Sequence, residues 1–139
     1  LQRSHRWDDW NLRVVNTRHT VQNLGLRLEA GSPTKVFCYS GDGMFTPTAS
    51  KLYTNADLLV HEAYTSDGTV KNPRGETVTI GTKTHCSLQQ LERLDDMARP
   101  KKMALIHLNR KLREEKKDIL KKYRQRRWIM PDAGEVIEL

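Results

Sequence analysis

The 139 residues carry 24 Lys and Arg against 17 Asp and Glu, a net charge of +7, with 37% hydrophobic residues. That is enough for one domain with a buried core. No apolar run approaches the roughly 18 residues that would nominate a membrane span, and the first residues lack the apolar stretch of a secretory signal.

Residues 1–11 (LQRSHRWDDWN) have no period and read as an entering loop. A strand is predicted at 12–16. Residues 23–30 then alternate, with Leu24, Leu26 and Leu28 to one side, as a half-buried strand does. Gly31-Ser32-Pro33 turns the chain into a strand at 35–40, so the two are predicted to pair as a hairpin. Val36-Phe37-Cys38-Tyr39 runs into Ser40-Gly41-Asp42-Gly43, an aspartate between glycines at the carboxyl end of a strand, where open α/β sheets place their ligands. Residues 48–55 read as a short helix capped by Thr48, and 57–60 as a strand leading into His61 and Glu62. The Gly-, Thr- and Asn-rich segment 66–83 reads as a mobile loop.

Thr84-His85-Cys86 precedes Ser87-Leu88-Gln89-Gln90, which fits a capping box. The helix it starts places Leu88, Leu91, Leu94 and Met97 on one face and ends at Pro100. Residues 102–108 form a predicted strand bearing His107. Residues 111–126 follow as a basic helix with Leu112, Ile119, Leu120 and Tyr123 inward, and 135–139 as a last strand. Strands alternating with helices after an antiparallel opening predict an α/β layer structure. Between 101 and 127 lie 12 Lys and Arg and three acids, Glu114, Glu115 and Asp118; that segment holds +9 and leaves −2 elsewhere. Such a segment attracts phosphate-bearing partners, or is simply a solvated helix face. Cys38 and Cys86 have no metal-type spacing, and a reducing cytoplasm is the expected location. Starting at Leu1, the chain is expected to be a cut piece or a processed product.

A single histidine at a strand end is more often a hydrogen-bonded group than a ligand, and His5 is read that way. The set His19, Asp42 and His107 is different, because these are ligand types that a divalent metal prefers. Asp42 has two oxygens and can bridge two ions, and metal-bound water becomes a nucleophile near neutrality. His61, Glu62 and His85 fit either an acid–base imidazole held in one tautomer or a network tying two loops together.

Five ordered segments carry a resemblance. They are Arg18-His19-Thr20-Val21-Gln22-Asn23-Leu24-Gly25, Ser40-Gly41-Asp42-Gly43, Leu58-Leu59-Val60-His61-Glu62-Ala63-Tyr64, Thr84-His85-Cys86-Ser87 and Leu105-Ile106-His107-Leu108. In order and interval they resemble the metal motifs of metallo-β-lactamase-fold hydrolases, especially the ribonuclease Z branch. The match runs from about Val14 to Leu139, with Gly43 standing where Thr is usual and Gln22 where Pro is common. The resemblance implies an α/β fold: half of an αββα sandwich, a mixed sheet with helices on one face, residues 1–139 being one domain and the C-terminal part of the whole. It implies two zinc ions, or manganese, with His19 and His107 on different ions and Asp42 bridging. It makes His61 a proton donor or charge stabiliser at the scissile phosphate, oriented through Glu62 and His85. The family's His-x-His-x-Asp-His string is not in this sequence, so activity is expected only with an N-terminal half.

The expected function is a metal-dependent phosphodiesterase of ribonuclease Z type. The expected partners are that N-terminal half or a second copy in a homo-oligomer, with RNA at segment 101–127. A non-catalytic polyanion-binding half-domain and an ester, lactone or thioester hydrolase are the competing expectations.

Overall fold

A computed structural model describes residues 2–79 and 84–139 of the chain. Its first four strands are a meander in which each pairs antiparallel with the next: β1 (Gln2–Trp7), β2 (Trp10–Asn16), β3 (Leu24–Ala30) and β4 (Lys35–Tyr39). Helix α1 (Pro47–Leu52) returns the chain to β5 (Leu58–Glu62), parallel to β4. A separate small hairpin, β6 (Thr69–Lys71) and β7 (Thr77–Thr79), follows. Helix α2 (Leu88–Ala98) then leads to β8 (Met103–Ile106), parallel to β5. Helices α3 (Arg110–Glu114) and α4 (Lys116–Lys122) and a 3-10 turn at Arg124–Arg126 lead to β9 (Trp128–Ile129), parallel to β8. The main sheet therefore runs β1-β2-β3-β4-β5-β8-β9.

The register divides the sheet into two faces. Val15, Cys38, Leu59, His61, Met103, Leu105 and Trp128 share the face under the helices, and all are buried. Leu88, Leu91, Leu94 and Ala98 of α2 are buried in that same cluster, and each leucine contributes roughly 2 kcal/mol relative to exposure. On the other face, Leu12, Val14, Leu26, Leu28, Phe37, Tyr39, Val60, Ile106 and Ile129 align across the strands and are only half-buried. No helix covers them among the described residues.

Several local expectations change. Residues 2–7 form a strand instead of part of an entering loop. Pairing with β2 along its whole length supplies the order that its unperiodic sequence does not, and Asp8 takes the positive φ (38°) that a two-residue hairpin turn requires. Thr46, not Thr48, caps α1, because Pro47 occupies the first helical position, and the Thr46 hydroxyl accepts from the Ala49 N–H at 3.1 Å. The segment 66–83 contains the β6–β7 hairpin, while its residues 80–83 lie outside the described residues. The capping box at Ser87 and Gln90 is present, but Met97 is 55% exposed and Ala98 takes the core position. The basic helix is broken at Glu115, Leu120 is only half-buried, and residues 135–139 form no strand.

Candidate metal centre

β2 is antiparallel to β3 and β3 to β4, so β2 points the same way as β4, β5 and β8. All four strands end at one edge of the sheet. His19 lies beyond β2, Asp42 beyond β4, Glu62 at the end of β5 and His107 just past β8, and His85 stands before α2. Residues from 19 to 107 therefore meet at the carboxyl ends of the strands.

Asp42 is the hub. Its Oδ1 lies 2.5 Å from His107 Nδ1 and 3.5 Å from His85 Nδ1, and its Oδ2 lies 3.9 Å from His19 Nε2. One ligand atom each from Asp42, Glu62, His85 and His107 fall within 4.8 Å of one another. The turn that presents Asp42 is braced by Asn23, whose Oδ1 accepts from the Asp42 N–H at 3.1 Å while its Nδ2 donates to the Thr17 hydroxyl. Gly41 (φ +68°) and Gly43 give Asn23 the room, since a Cβ on either would meet its side chain at 2.7 Å. His107 takes φ +53°, a left-handed conformation costing a non-glycine residue about 1–2 kcal/mol, as the chain leaves β8.

Glu62 is fully buried on the open face. The Cys86 N–H donates to its Oε1, and its Oε2 faces His85 Nδ1 across 3.4 Å without a hydrogen bond. Burial, together with the charge of Asp42, pushes Glu62 up to about 8 even against the Cys86 N–H. Burial holds the His85 imidazole below its usual range, with Asp42 pulling the other way. Both Glu62 Oε2 and His85 Nδ1 are buried without a hydrogen-bond partner. Two such atoms aimed into a cluster of carboxylate oxygen and imidazole nitrogen fit a divalent cation, since this is the donor set of zinc and is acceptable to manganese.

His61 is not brought to this cluster. Successive strand residues point to opposite faces, so His61 lies under the helices where Glu62 lies above. It is buried, its Nδ1 lies 2.8 Å from the Glu62 carbonyl oxygen, and its ring stands edge-on to Tyr53 and Phe45. Of the residues expected at the site, His61 is thus placed in the core, apart from the Asp42 cluster.

Two residues of the site were not singled out in the sequence. Asn23 braces the Asp42 turn. Tyr64 stacks on His85 (ring centroids 4.8 Å, 26° between planes) and lies 5.4 Å from His107. The polar Asn ahead of an alternating leucine strand was the only available signal for the first, and its contact to Asp42 spans 19 residues. The expected basic helix also looks different in place. Arg110 pairs with Glu114, Lys116 with Asp132, and Arg126 with Asp95 and Asp96, so part of the +9 is neutralised locally.

No family model and no curated protein matches the sequence. Solved structures do match. Human tRNase Z, short form, superposes with a TM-score of 0.62 at 19% identity over 78% of this chain and 40% of its own. The metallo-β-lactamase fold protein YhfI from Bacillus subtilis gives 0.61 at 19% over 84% and 46%. Isothiocyanate hydrolase from Delia radicum gut bacteria gives 0.70 at 13% over 100% and 58%. The chain thus spans about half the length of these structures. It has the metallo-β-lactamase fold over that part: a mixed sheet clothed by helices on one face, with its acidic and imidazole side chains gathered at one edge.

Proposed function

We propose that this chain is the C-terminal, metal-binding part of a metal-dependent hydrolase that cleaves phosphodiesters in the manner of ribonuclease Z. The observation that carries the reading is the convergence of His19, His85 and His107 on Asp42, from four separate stretches of chain. In this reading His19, Asp42 and His107 would hold two divalent ions, zinc or manganese, with His19 and His107 on different ions and Asp42 shared between them. The remaining ligands come from an N-terminal half of the same fold. Bound there, the ions would supply an ionised water at neutral pH and offset the charge developing at phosphorus.

The chain's own part is orientation: Glu62, fixed by the Cys86 N–H, faces the His85 ring across 3.4 Å and sets it beside Asp42. The half-buried face bearing Leu26, Leu28 and Phe37 takes either that N-terminal half or a second copy. We place the protein in the cytoplasm on its two free, buried cysteines. Among the described residues, no helix is long and apolar enough to cross a membrane.

The test is metal content by mass spectrometry after dialysis against zinc and manganese, on the polypeptide that includes the residues upstream of Leu1. Wild type is expected to retain metal and Asp42→Ala to lose it. Equal metal in both overturns the assignment. Retention of RNA in chelator, with steep salt dependence and no metal in either protein, would favour the polyanion-binding half-domain instead.

A further inference from the structure

Beside the Asp42 cluster, a groove of about 700 Å³ runs between the β6–β7 hairpin and the start of α3. Tyr64 lines it, with Lys71 and Thr77 on the hairpin side and Asn109, Arg110 and Lys111 on the helix side. The Tyr64 ring covers His85 and leans against His107, so it separates the groove from the cluster and touches both. Its backbone N–H donates to the Cys86 carbonyl at 2.9 Å, which locks the ring's origin to the loop that carries His85.

Three cations line the groove against one acid, Asp67. Arg110 is held by Glu114 at 2.7 Å and Lys111 is only loosely paired to Glu115 at 3.9 Å, whereas Lys71 enters no ion pair among the described residues. The Asp67 carboxylate is engaged locally, accepting from the Thr69 N–H and hydroxyl at 3.0 and 2.8 Å. An aromatic ring beside a free lysine and a loosely paired one is the combination that holds an unpaired polynucleotide strand. The ring stacks on a base and the ammonium groups track the phosphates.

We infer that this groove binds single-stranded RNA, seating the nucleotide next to the phosphate presented to the Asp42 cluster, with Tyr64 as its stacking platform and Lys71 and Lys111 as its phosphate contacts. The inference rests on the phosphodiester reading for its orientation, but the groove residues are separate from the proposed metal ligands. It narrows the RNA contact within segment 101–127 to its Arg110–Lys111 end and adds the hairpin. Lys71 lies outside the lysine- and arginine-rich segment altogether.

The probe is a fluorescent adenosine dodecamer RNA, titrated by anisotropy in EDTA across a range of salt, with metal uptake measured in parallel. Wild type and Asp42→Ala are expected to bind it. Tyr64→Ala should bind roughly tenfold more weakly and Tyr64→Phe within about twofold of wild type, because stacking and not the hydroxyl is the contact. Lys71→Glu with Lys111→Glu should weaken binding and lower the salt slope by about 0.7 per lost phosphate contact. If Tyr64→Ala and the lysine pair bind RNA as wild type does, or if wild type binds none, the groove assignment falls whatever the metal content. If the protein takes up no metal while the groove variants still lose RNA, the hydrolase reading fails and the groove stands.

Discussion

The turn that holds Asp42 leaves no space for a β-carbon at Gly41, so an alanine there should destabilise the fold more than one at Gly31. Gly41 has φ +68°, and a Cβ there would sit 2.6 Å from the Leu24 carbonyl oxygen and 2.7 Å from Asn23 Oδ1. Gly31, at the opposite end of the same β3–β4 pair, has φ +83°, and its Cβ would meet only the Pro33 carbonyl oxygen, at an ordinary 3.5 Å. Both alanine variants suffer the left-handed backbone, about 1–2 kcal/mol. Only Gly41→Ala adds the overpacking of a fixed backbone oxygen, about 1–3 kcal/mol more. Gly41→Ala is therefore expected to lose about 2–5 kcal/mol against about 1–2 for Gly31→Ala. Urea unfolding in chelator, with unchanged slopes, measures the difference. Because Asn23 Oδ1 accepts the Asp42 N–H, Gly41→Ala should also bind metal more weakly while Gly31→Ala does not. Unfolding free energies for the two variants within about 0.5 kcal/mol of each other, with equal metal binding, would refute the close approach.

Further expectations concern the core and the open face. Burial pushes His61 down to about 4 from 6.5, against the opposing pull of the Glu62 carbonyl. The unfolded chain therefore takes up the proton first, and this contribution is complete above about pH 6.5 and lost as pH falls toward 4, about 3 kcal/mol in all. Glu62, raised to about 8 from 4.5, acts in the opposite direction, losing its contribution as pH rises through that interval. The His61 part is thus read as the wild-type stability minus that of His61→Asn in chelator: it should shrink by about 3 kcal/mol from pH 7 to pH 4, and a flat difference would be inconsistent with a neutral buried imidazole. Leu94→Ala should cost about 2–5 kcal/mol and Met97→Ala less than about 0.5, because Leu94 is fully buried and Met97 is 55% exposed; equal losses in urea unfolding would contradict the packing of α2. The isolated chain should self-associate through the face of Leu26, Leu28 and Phe37, with Leu28→Lys shifting it toward monomer; a strictly monomeric wild type by light scattering at high concentration would count against that surface.

Much of this architecture was legible in local patterns. The Leu24, Leu26, Leu28 alternation, the capping box at Ser87 and Gln90, and the apolar run ending at Gly41-Asp42-Gly43 each report a structure decided by neighbours a few residues away. The ligand types His19, Asp42 and His107 were visible for the same reason, as polar residues standing where strands stop. Side chains whose placement depends on distant partners were not. Strand β1 exists because β2 pairs with it, and β9 because β8 does. Helices α3 and α4 replace one continuous basic helix, and Glu115 has no periodic signature that foretells the break. His61 and Glu62 are adjacent in sequence, and nothing local says which one faces the cluster and which enters the core. The chain's local patterns thus fixed the β3–β4 hairpin, the capped start of α2 and the positions of residues of metal-ligating type. Only the tertiary structure decided which of them meet, because the pleat sends neighbours to opposite faces while parallel strands bring residues dozens of positions apart to one edge.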